Sequence, residues 1–429
     1  MRTRHWPLVF LCSVCLGGAQ EVFAAGINRP FPQHTTYHVG SIKPNNVNQA
    51  AMDTSVKRFY DAWKARYLVT VPGISPTQKY VFYNKEGYSS PSNAVSCSEG
   101  HGYGMLITVF MAGYDPEAKS NFNSLYRFSK AHPSVHHPAL MAWQQVKIAG
   151  AIVDNPDGGN DSATDGDLDI AYALLLADQQ WGSAGSINYG AAARTCIRAI
   201  MSKEVNQSEG IMKLGDWAAN ADPKYGQATR SSDFMPSHFK IFAAFDPAYA
   251  SKWNHVFDKT RSIVNYQYLS GGSKSTGLMP DFFRKNASGH YVPVSGNFLE
   301  DEHDGDYDYN ACRTPWRLAM DYLIGGRDTL KYQLTVLNSW IKAKTSGAPL
   351  KVKAGYYVRN GPNGSAYVDY NDLCFECPFA VSAMISSGNQ AWLNALWSSM
   401  ISKHPIAAEG YYGNTLKMLV MIVVSGNWW

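Results

Sequence analysis

Helical periodicity is the feature that most constrains the fold of this chain. Apolar residues recur at intervals of three and four along about a dozen segments, whereas the signals for strands are weak. Turn-forming residues join the segments mostly in pairs. We therefore predict an all-α chain that forms one closed helical barrel, an α/α toroid, rather than a bundle or a solenoid. The predicted helices cover approximately residues 48–67, 106–114, 116–131, 165–181, 189–205, 235–245, 248–266, 310–324, 329–345, 377–386, 390–403 and 415–424.

The N-terminus has the pattern of a secretory signal. Two arginines precede an apolar stretch over residues 6–17, and a small residue closes a cleavage motif. We predict that residues 1–24 are a signal peptide and that residues 25–429 form one domain of a secreted protein, extracellular or periplasmic. The apolar run at 416–425 is too short to span a bilayer, so no membrane partner is expected.

Composition excludes some functions and favours others. The net charge is +4 and the basic residues are scattered, which argues against a nucleic-acid partner. Aromatic residues make up 13% of the chain, including 12 Trp and 26 Tyr, and such rings suit the faces of sugars or an interface. The cysteines after residue 24 are odd in number and give no disulfide framework. For Cys374 and Cys377, a packed or bridged pair is favoured over a metal site.

A glycine-rich segment at residues 98–105 (SEGHGYGM) begins with one acidic residue, Glu99. Two interpretations remain open from the residues alone. The glycines can form a turn that leaves room for a ligand and holds Glu99 in a cleft. Alternatively, the segment is a helix N-terminus in which Ser98 is the cap and the helix dipole favours Glu99.

Two further acidic clusters stand out. In the predicted helix at 165–181, Asp165 and Asp169 share one face while Asp167 points elsewhere. Residues 300–308 hold a dense run of carboxylates, typical of either a solvated loop or a cation site. Their alternation resembles a calcium loop, but the rest of such a loop is missing, and we predict no metal and no cofactor.

Paired carboxylates without a nucleophilic Ser or Cys triad indicate glycosidic bond cleavage. That reaction needs one protonated acid and a second carboxylate that attacks or activates water. Aromatic rings near the acidic segments would hold the sugar faces. The candidates by sequence proximity are Trp143, Trp181, Trp217 and Trp316.

Four motif segments follow one another along the chain: residues 98–105 (SEGHGYGM), 141–143 (MAW), 163–171 (ATDGDLDIA) and 313–317 (RTPWR). In this order they resemble glycoside hydrolase family 8. The resemblance implies an (α/α)6 barrel, inversion of configuration and action on β-1,4-linked polymers such as cellulose, mixed-linkage glucan, xylan or chitosan. It also implies that Glu99 is the general acid and that Asp165 is a second catalytic carboxylate in the central subsite. The predicted substrate-binding residues, from the motifs and from proximity to the acidic segments together, are Tyr103, Trp143, Asp167, Trp217, Asp233, Asn310 and Arg313.

The chain departs from the family pattern at the base. Many members carry an Asp in a Y-D-A-x-R motif, where this chain has Asn310, and an amide has no usable basicity. The Tyr of an S-Y-x-x-P motif is also replaced, by Asp233. One branch of the family places a Glu base in the preceding loop, and Glu300 is our candidate. Glu302 and Asp308 are the alternatives.

The acidic segments favour the polycation chitosan as substrate, because a carboxylate-rich groove would attract it. An endo-β-1,4-glucanase or licheninase, and a non-catalytic polysaccharide-binding protein on the same scaffold, are the alternatives. We expect a monomer. If Glu300 is the base of an inverting enzyme, its carboxyl should lie about 6.5–9.5 Å from that of Glu99. Glu99 should have a raised pKa, with Asp165 as one source of like charge.

Overall fold

The computed structural model describes residues 26–429, so the predicted signal peptide lies outside the described residues. This part of the chain is mainly helical, as predicted. Its α-helices are α1 (Gln49–Tyr67), α2 (Ser98–Phe110), α3 (Ala118–Ala131), α4 (Thr164–Trp181), α5 (Tyr189–Lys203), α6 (Pro236–Phe245), α7 (Ala250–Leu269), α8 (Thr314–Leu323), α9 (Lys331–Thr345), α10 (Leu373–Glu376), α11 (Pro378–Ala383), α12 (Gln390–Ser402) and α13 (Tyr411–Val424).

Short strands occupy the connections between the helices and pair only antiparallel. They form two three-stranded sheets, β3-β6-β7 and β10-β11-β12, and three two-stranded ones, β1-β2, β4-β5 and β8-β9. The strands are β1 (Leu68–Thr70), β2 (Lys79–Val81), β3 (Ala94–Cys97), β4 (Pro133–Ser134), β5 (His137–Met141), β6 (Gln144–Ile148), β7 (Ala151–Asp154), β8 (Val205–Asn206), β9 (Ile211–Met212), β10 (Ala228–Arg230), β11 (Phe282–Lys285) and β12 (Tyr291–Pro293).

Six helices form the inner layer of the fold. Contacts run from α2 to α4, from α6 through α8 and α11 to α13, and from α13 back to α2. Between α4 and α6, Asp169 Oδ1 contacts His238 Nε2 at 3.1 Å. Each inner helix packs against one outer helix, in the pairs α2–α3, α4–α5, α6–α7, α8–α9, α11–α12 and α13–α1. The paired arrangement predicted from the sequence is therefore present.

The glycines of residues 98–105 lie within α2, so of the two interpretations of this segment the helix N-terminus is present and the turn is not, and the helix begins earlier than residue 106. The cap is the Cys97 thiol, which accepts from the Gly100 N–H at 3.4 Å, and not Ser98. A Cβ on Gly102 would lie 2.7 Å from the Asp169 Cβ. Because only hydrogen fits there, the glycines allow the close approach of α2 and α4.

The remaining helices begin and end within a few residues of their predicted bounds, except α10, which was not predicted. A single 3-10 turn, Ala311–Arg313, precedes α8, whose first turn contains Pro315. The cysteines between residues 26 and 429 are all free and buried. Within the same range, no helix combines the length and the apolar character needed to cross a membrane.

Candidate active site

Glu99 lies in the first turn of α2 and lines a cavity, with a side chain that is 19% exposed. Its Oε2 accepts from Arg313 Nη1 at 2.8 Å, and its Oε1 accepts from the Tyr411 hydroxyl at 3.2 Å. Burial raises the pKa of Glu99 to about 7; Arg313 opposes this shift and the like charge of Asp165 adds to it. A carboxyl with this pKa keeps its proton in weakly acidic solution and can serve as a general acid.

Arg313 joins Glu99 to a second carboxylate, Asp165, at the start of α4. Its Nη1 contacts Glu99 Oε2 and Asp165 Oδ2, both at 2.8 Å, so these two oxygens are no more than twice that distance apart. Burial acts to raise the pKa of Asp165, but the guanidinium groups of Arg313 and Arg230 outweigh it and hold that pKa below its usual value. Glu99 can therefore hold a proton while its neighbour Asp165 is ionised.

The other two acids of α4 lie outside this cluster. Asp169 shares the face of Asp165, as predicted, but it is bound by Arg317 and His238 and ties α4 to α8 and α6. Both nitrogens of the Arg317 fork reach the Asp169 carboxylate. Asp169 thus has a role in helix packing.

Asp167 points away from that face, also as predicted. Its Oδ1 accepts from the Met141 N–H at 3.0 Å, and its carboxyl adjoins that of the buried Glu204. The structure does not bring Asp167, assigned above to substrate binding, together with Glu99. It lines a separate cavity between α3, α4 and α5.

Glu300 stands at the other end of a hydrogen-bonded chain that begins at Glu99. Asn310 Nδ2 donates to Glu300 Oε2 at 2.8 Å, and Asn310 Oδ1 accepts from Arg313 Nη2 at 2.8 Å. Glu300 Oε1 also lies 3.5 Å from Arg230 Nη1. The side chain of Glu300 is 44% exposed, and burial raises its pKa while Arg230 opposes the rise.

Asp281 fixes the orientation of Asn310. Its Oδ2 accepts from the backbone N–H of Asn310 at 2.9 Å and from Asn310 Nδ2 at 3.0 Å, and its Oδ1 accepts from the Ala311 N–H at 2.7 Å. Asn310 Nδ2 thus faces two carboxylates, Asp281 and Glu300, while Oδ1 faces Arg313. An amide can donate on one side and accept on the other in this way, whereas an ionised carboxylate can only accept.

The alternative bases are placed less favourably. The Glu302 side chain is 85% exposed, and its nearest charged partner is His303 at 3.9 Å. Asp308 is buried, and burial raises its pKa to about 7, although the hydroxyl of Tyr367 opposes this shift. Neither has a hydrogen bond to Asn310 or Arg313 among those of residues 26–429, whereas Glu300 bonds to Asn310.

The other aspartates of the 300–308 run organise the loop backbone. Asp304 accepts from the N–H groups of residues 298–301, and Asp306 accepts from those of residues 358–360. The carboxylate oxygens that a calcium ion would need as ligands therefore already accept hydrogen bonds from the backbone. No cluster of His, Cys, Asp or Glu suited to a metal ion occurs in residues 26–429.

Two cavities meet the network at its two ends. Glu99 lines one of about 510 Å³ whose wall is rich in tyrosine, namely Tyr83, Tyr88, Tyr309, Tyr411 and Tyr412. Glu300 lines another, of about 520 Å³, together with Trp143, Trp217 and Arg230. Of the four tryptophans proposed from the sequence, Trp143 and Trp217 therefore reach a cavity beside the carboxylates. Trp316 is fully buried, and Trp181 packs against Phe122 in the core.

The remaining assigned residues are buried in or beside the network and line neither of these two cavities. Arg313 and Asn310 are buried in the network, and Tyr103 accepts from Arg313 Nη1 at 3.2 Å without reaching the surface. Asp233 is also fully buried, and its Oδ2 lies 3.9 Å from Arg230 Nε. Burial raises the pKa of Asp233 to about 7, with Arg230 opposing.

Three residues of the site were missed in the sequence: Arg230, Asp281 and Tyr411. Arg230 stands far along the chain from Glu300, Asp281 from Asn310 and Tyr411 from Glu99, and none of the three lies in a recognised motif. Tyr411 reaches Glu99 across more than 300 positions. For Arg230, its position directly before the Ser-Ser-Asp segment that replaces a family motif was the one available signal.

The arrangement defines the class of protein. Paired helices surround a protonatable carboxyl, an ionised carboxylate and a third carboxylate, with aromatic cavities beside them. Hydrolysis of a glycosidic bond requires these groups, so the fold and the site place the protein among the glycoside hydrolases.

Comparison with known proteins places the chain within that class. Residues 50–426 match the model of glycosyl hydrolases family 8, and the chain belongs to this family. It is 50% identical over 411 residues to a beta-glucanase of Niallia circulans, covering 96% of this chain and 93% of that protein. It is 36% identical to an endoglucanase of Bacillus sp. (strain KSM-330), covering 97% and 85%.

A solved structure gives the same result for the fold. The apo structure of beta-1,3-1,4-glucanase from Paenibacillus sp. X4 superposes with a TM-score of 0.84 at 50% identity. The alignment covers 94% of this chain and 99% of that one. The chain is thus a glycosyl hydrolase, as the sequence motifs predicted, and not a binding protein that lacks catalysis.

Proposed function

We propose that this protein is an inverting endo-β-glucanase that cleaves internal bonds of mixed-linkage β-1,3-1,4-glucan and of related β-1,4-glucans. The observation that carries the proposal is the hydrogen-bonded chain from Glu99 through Arg313 and Asn310 to Glu300, with one aromatic cavity at each end. The names of the relatives at 36–50% identity support β-glucan as the substrate class.

Glu99 is the general acid of the proposed reaction. With its pKa near 7 it carries a proton in weakly acidic solution, and it passes that proton to the glycosidic oxygen as the bond to the anomeric carbon breaks. Asp165 stays ionised at the same pH, so its charge stabilises the positive charge that develops on the sugar ring. In an inverting reaction Asp165 forms no bond to the sugar.

Glu300 is the proposed general base. A water molecule attacks the anomeric carbon from the face opposite the leaving oxygen, and Glu300 accepts its proton. Glu300 suits this role because its side chain is open to solvent at the edge of the cavity, while Asn310 orients one of its oxygens. Asn310 occupies the position of the usual family base but acts here as a hydrogen-bond partner of Glu300.

The structure also bears on the choice between β-glucan and chitosan. The charge argument for chitosan rested on the acidic segments at 165–169 and 300–308. Asp169, however, is bound by Arg317, and Asp304 and Asp306 turn inward and bind backbone N–H groups. Beside Glu300 the cavity presents the Arg230 guanidinium, which would repel a polycation. Tryptophan faces, as offered by Trp143 and Trp217, suit neutral glucan.

The test is reducing-sugar release from lichenan, carboxymethylcellulose and chitosan, measured side by side with the Glu99→Gln variant as a control. We expect release from lichenan and weaker release from carboxymethylcellulose, both abolished in E99Q. Release from chitosan at a rate equal to that from lichenan would make chitosan the substrate class. Activity of E99Q equal to the wild type would refute the role of Glu99.

Stereochemistry and the base have separate tests. Proton NMR of the first product should show the α-anomer, and a β-anomer would exclude inversion. Glu300→Gln should lower kcat by at least about 100-fold, because general-base catalysis contributes roughly that much. Asp308→Asn is the matched control, and its activity should remain within a few-fold of the wild type.

The remaining parts of the proposal concern the whole chain. We infer that the six inner helices close into an (α/α)6 barrel and that residues 25–429 act as one domain and as a monomer. We also propose that the protein is secreted after removal of residues 1–24. N-terminal sequencing of the exported protein tests the cleavage, and scattering in solution tests the oligomeric state.

A further inference from the structure

Arg230 is anchored at the edge of the Glu300 cavity by contacts that carry no opposite charge. It is the last residue of β10, where it pairs with Phe282 of β11, and its guanidinium lies 5.7 Å from the centre of the Phe282 ring. Its Nη2 donates to the backbone carbonyl of Leu214 at 3.0 Å. These contacts fix the position of the side chain, which is 12% exposed.

The remaining atoms of the guanidinium face two carboxylates. Nη1 lies 3.5 Å from Glu300 Oε1, and Nε lies 3.9 Å from Asp233 Oδ2. Among the residues that the structure describes, neither Arg230 Nε nor Asp233 Oδ2 has a hydrogen-bond partner. The fork of Arg230 thus stands between Asp233 and Glu300, close enough to bind either one through a small movement.

Two arginines contact different carboxylates of the site. Arg313 contacts Glu99 and Asp165, on the side of the general acid. On the side of the base, Arg230 is the cation within 4.0 Å of Glu300 in residues 26–429, and the other polar contact of that carboxylate is the neutral amide of Asn310.

We propose that Arg230 is a positioning residue for the general base: its guanidinium directs the Glu300 carboxylate toward the cavity and keeps it ionised as substrate binds. The proposal rests on the proposed role of Glu300. A base must be anionic to accept a proton from water, and a bound sugar removes the solvent that would otherwise stabilise the anion. An adjacent fixed cation then supplies this stabilisation.

The charged groups around the pair agree with this role. Glu300 faces Arg230 from β10, the amide of Asn310 with the Asp281 carboxyl behind it, the carboxylate of Asp304 in its own loop, and Arg313. Arg230 in turn faces Asp233, Asp165, Glu300 and Arg313. Burial keeps Asp233 largely protonated below pH 7, where Glu99 also holds its proton. Over that range Asp233 competes little for Arg230, whose charge is then available to Glu300.

The test is the pH dependence of kcat/KM for lichenan hydrolysis in Arg230→Gln and Arg230→Lys. Loss of the cation in R230Q should move the acidic limb to higher pH by roughly one unit or more, since a nearby opposite charge shifts a carboxyl pKa by that amount. R230K keeps a charge but not the fork, so its acidic limb should stay near that of the wild type. Its kcat should nevertheless fall about 10-fold through misplacement of Glu300.

Arg284→Gln is the matched control, because Arg284 lies on the adjacent strand and its side chain donates to the Pro223 carbonyl at 2.6 Å at the surface. Its pH profile should equal that of the wild type. A purely structural role for Arg230 would lower the melting temperature of R230Q without moving the limb, and that result would overturn the proposal. If R230Q does not fold, R230K decides the question, and a wild-type kcat in R230K would overturn the proposal.

The two variants R230Q and E300Q distinguish a wrong role for Arg230 from a wrong assignment of Glu300 as the base. An unmoved acidic limb in R230Q, together with an inactive E300Q, would reject the role of Arg230 and leave Glu300 as the base. An active E300Q would reject both. In either case, activity on lichenan tests the substrate class independently.

Discussion

Replacing Tyr411 with Phe removes a single hydrogen bond from the general acid. The Tyr411 hydroxyl donates to Glu99 Oε1 at 3.2 Å, and this contact lowers the pKa of Glu99 because it stabilises the carboxylate more than the neutral acid. The ring itself packs edge-on against Tyr67 and Tyr83, each with centroids 6.0 Å away, and Phe preserves both contacts. The Y411F variant should therefore fold and bind substrate normally.

The expected effect is an upward displacement of the alkaline limb. A hydrogen bond to a charged group contributes about 1.5–3 kcal/mol, and one of 3.2 Å belongs at the low end of that range. Since about 1.4 kcal/mol corresponds to one pH unit, the pKa of Glu99 should rise by about one unit from its value of about 7. Because Glu99 acts in its protonated form, activity should persist to higher pH.

The assay is kcat/KM for lichenan measured across the range in which Glu99 titrates, for the wild type, Y411F and the control Tyr83→Phe. Tyr83 packs beside Tyr411, but its hydroxyl accepts from Gln144 Nε2 at 2.6 Å instead of donating to Glu99. Y83F should leave the alkaline limb near its wild-type position. A limb that moves downward in Y411F, or that moves equally in both variants, would refute the assignment of this limb to Glu99.

Two further perturbations test other carboxylates. In Asn310→Asp, a carboxylate replaces the amide that lies 2.8 Å from Glu300 Oε2. Repulsion between the two carboxylates should move the acidic limb of the kcat/KM profile to higher pH by roughly one pH unit. An unmoved limb would contradict the role of Asn310. Burial, and then Asp167, hold the pKa of Glu204 well above its usual 4.5, so the contribution of Glu204 to stability is fully present below about pH 4.5 and declines as the pH rises. In Glu204→Gln, the decline of the unfolding free energy with pH should be smaller by up to about 1.4 kcal/mol per pH unit, as measured in denaturant titrations. Parallel pH profiles for the wild type and the variant would contradict this role of Glu204.

The helical part of the fold could be read from the sequence because each helix repeats its apolar residues locally. The ends of the helices could not always be read in this way. Pro315 lacks an N–H and is accommodated only in a first turn, so the helix predicted from residue 310 begins at Thr314. The last helix begins earlier than predicted because the N–H of Tyr411 donates to Glu86, which is 325 positions away.

The site could be predicted where chemistry is concentrated in short segments. Glu99, Asp165, Arg313 and Asn310 lie in ordered motifs, and the structure brings them into one network. The function of the acidic run at 300–308 could not be predicted in the same way. Whether Asp306 meets an ion or a backbone N–H depends on residues 358–360, whose position follows from packing alone.

The pairing of Asn310 with Glu300 explains why the loss of the usual base residue is compatible with catalysis. An Asp at position 310 would place a further carboxyl between Asp281 at 3.0 Å and Glu300 at 2.8 Å, and its negative charge would raise the pKa of Glu300. The amide removes one negative charge from this group and donates to both neighbours. In the proposed mechanism, Asn310 thereby favours the ionised form of Glu300 at the edge of the cavity. The base then lies in the loop and not at position 310, and an aspartate at 310 would weaken Glu300 as a base at low pH by raising its pKa.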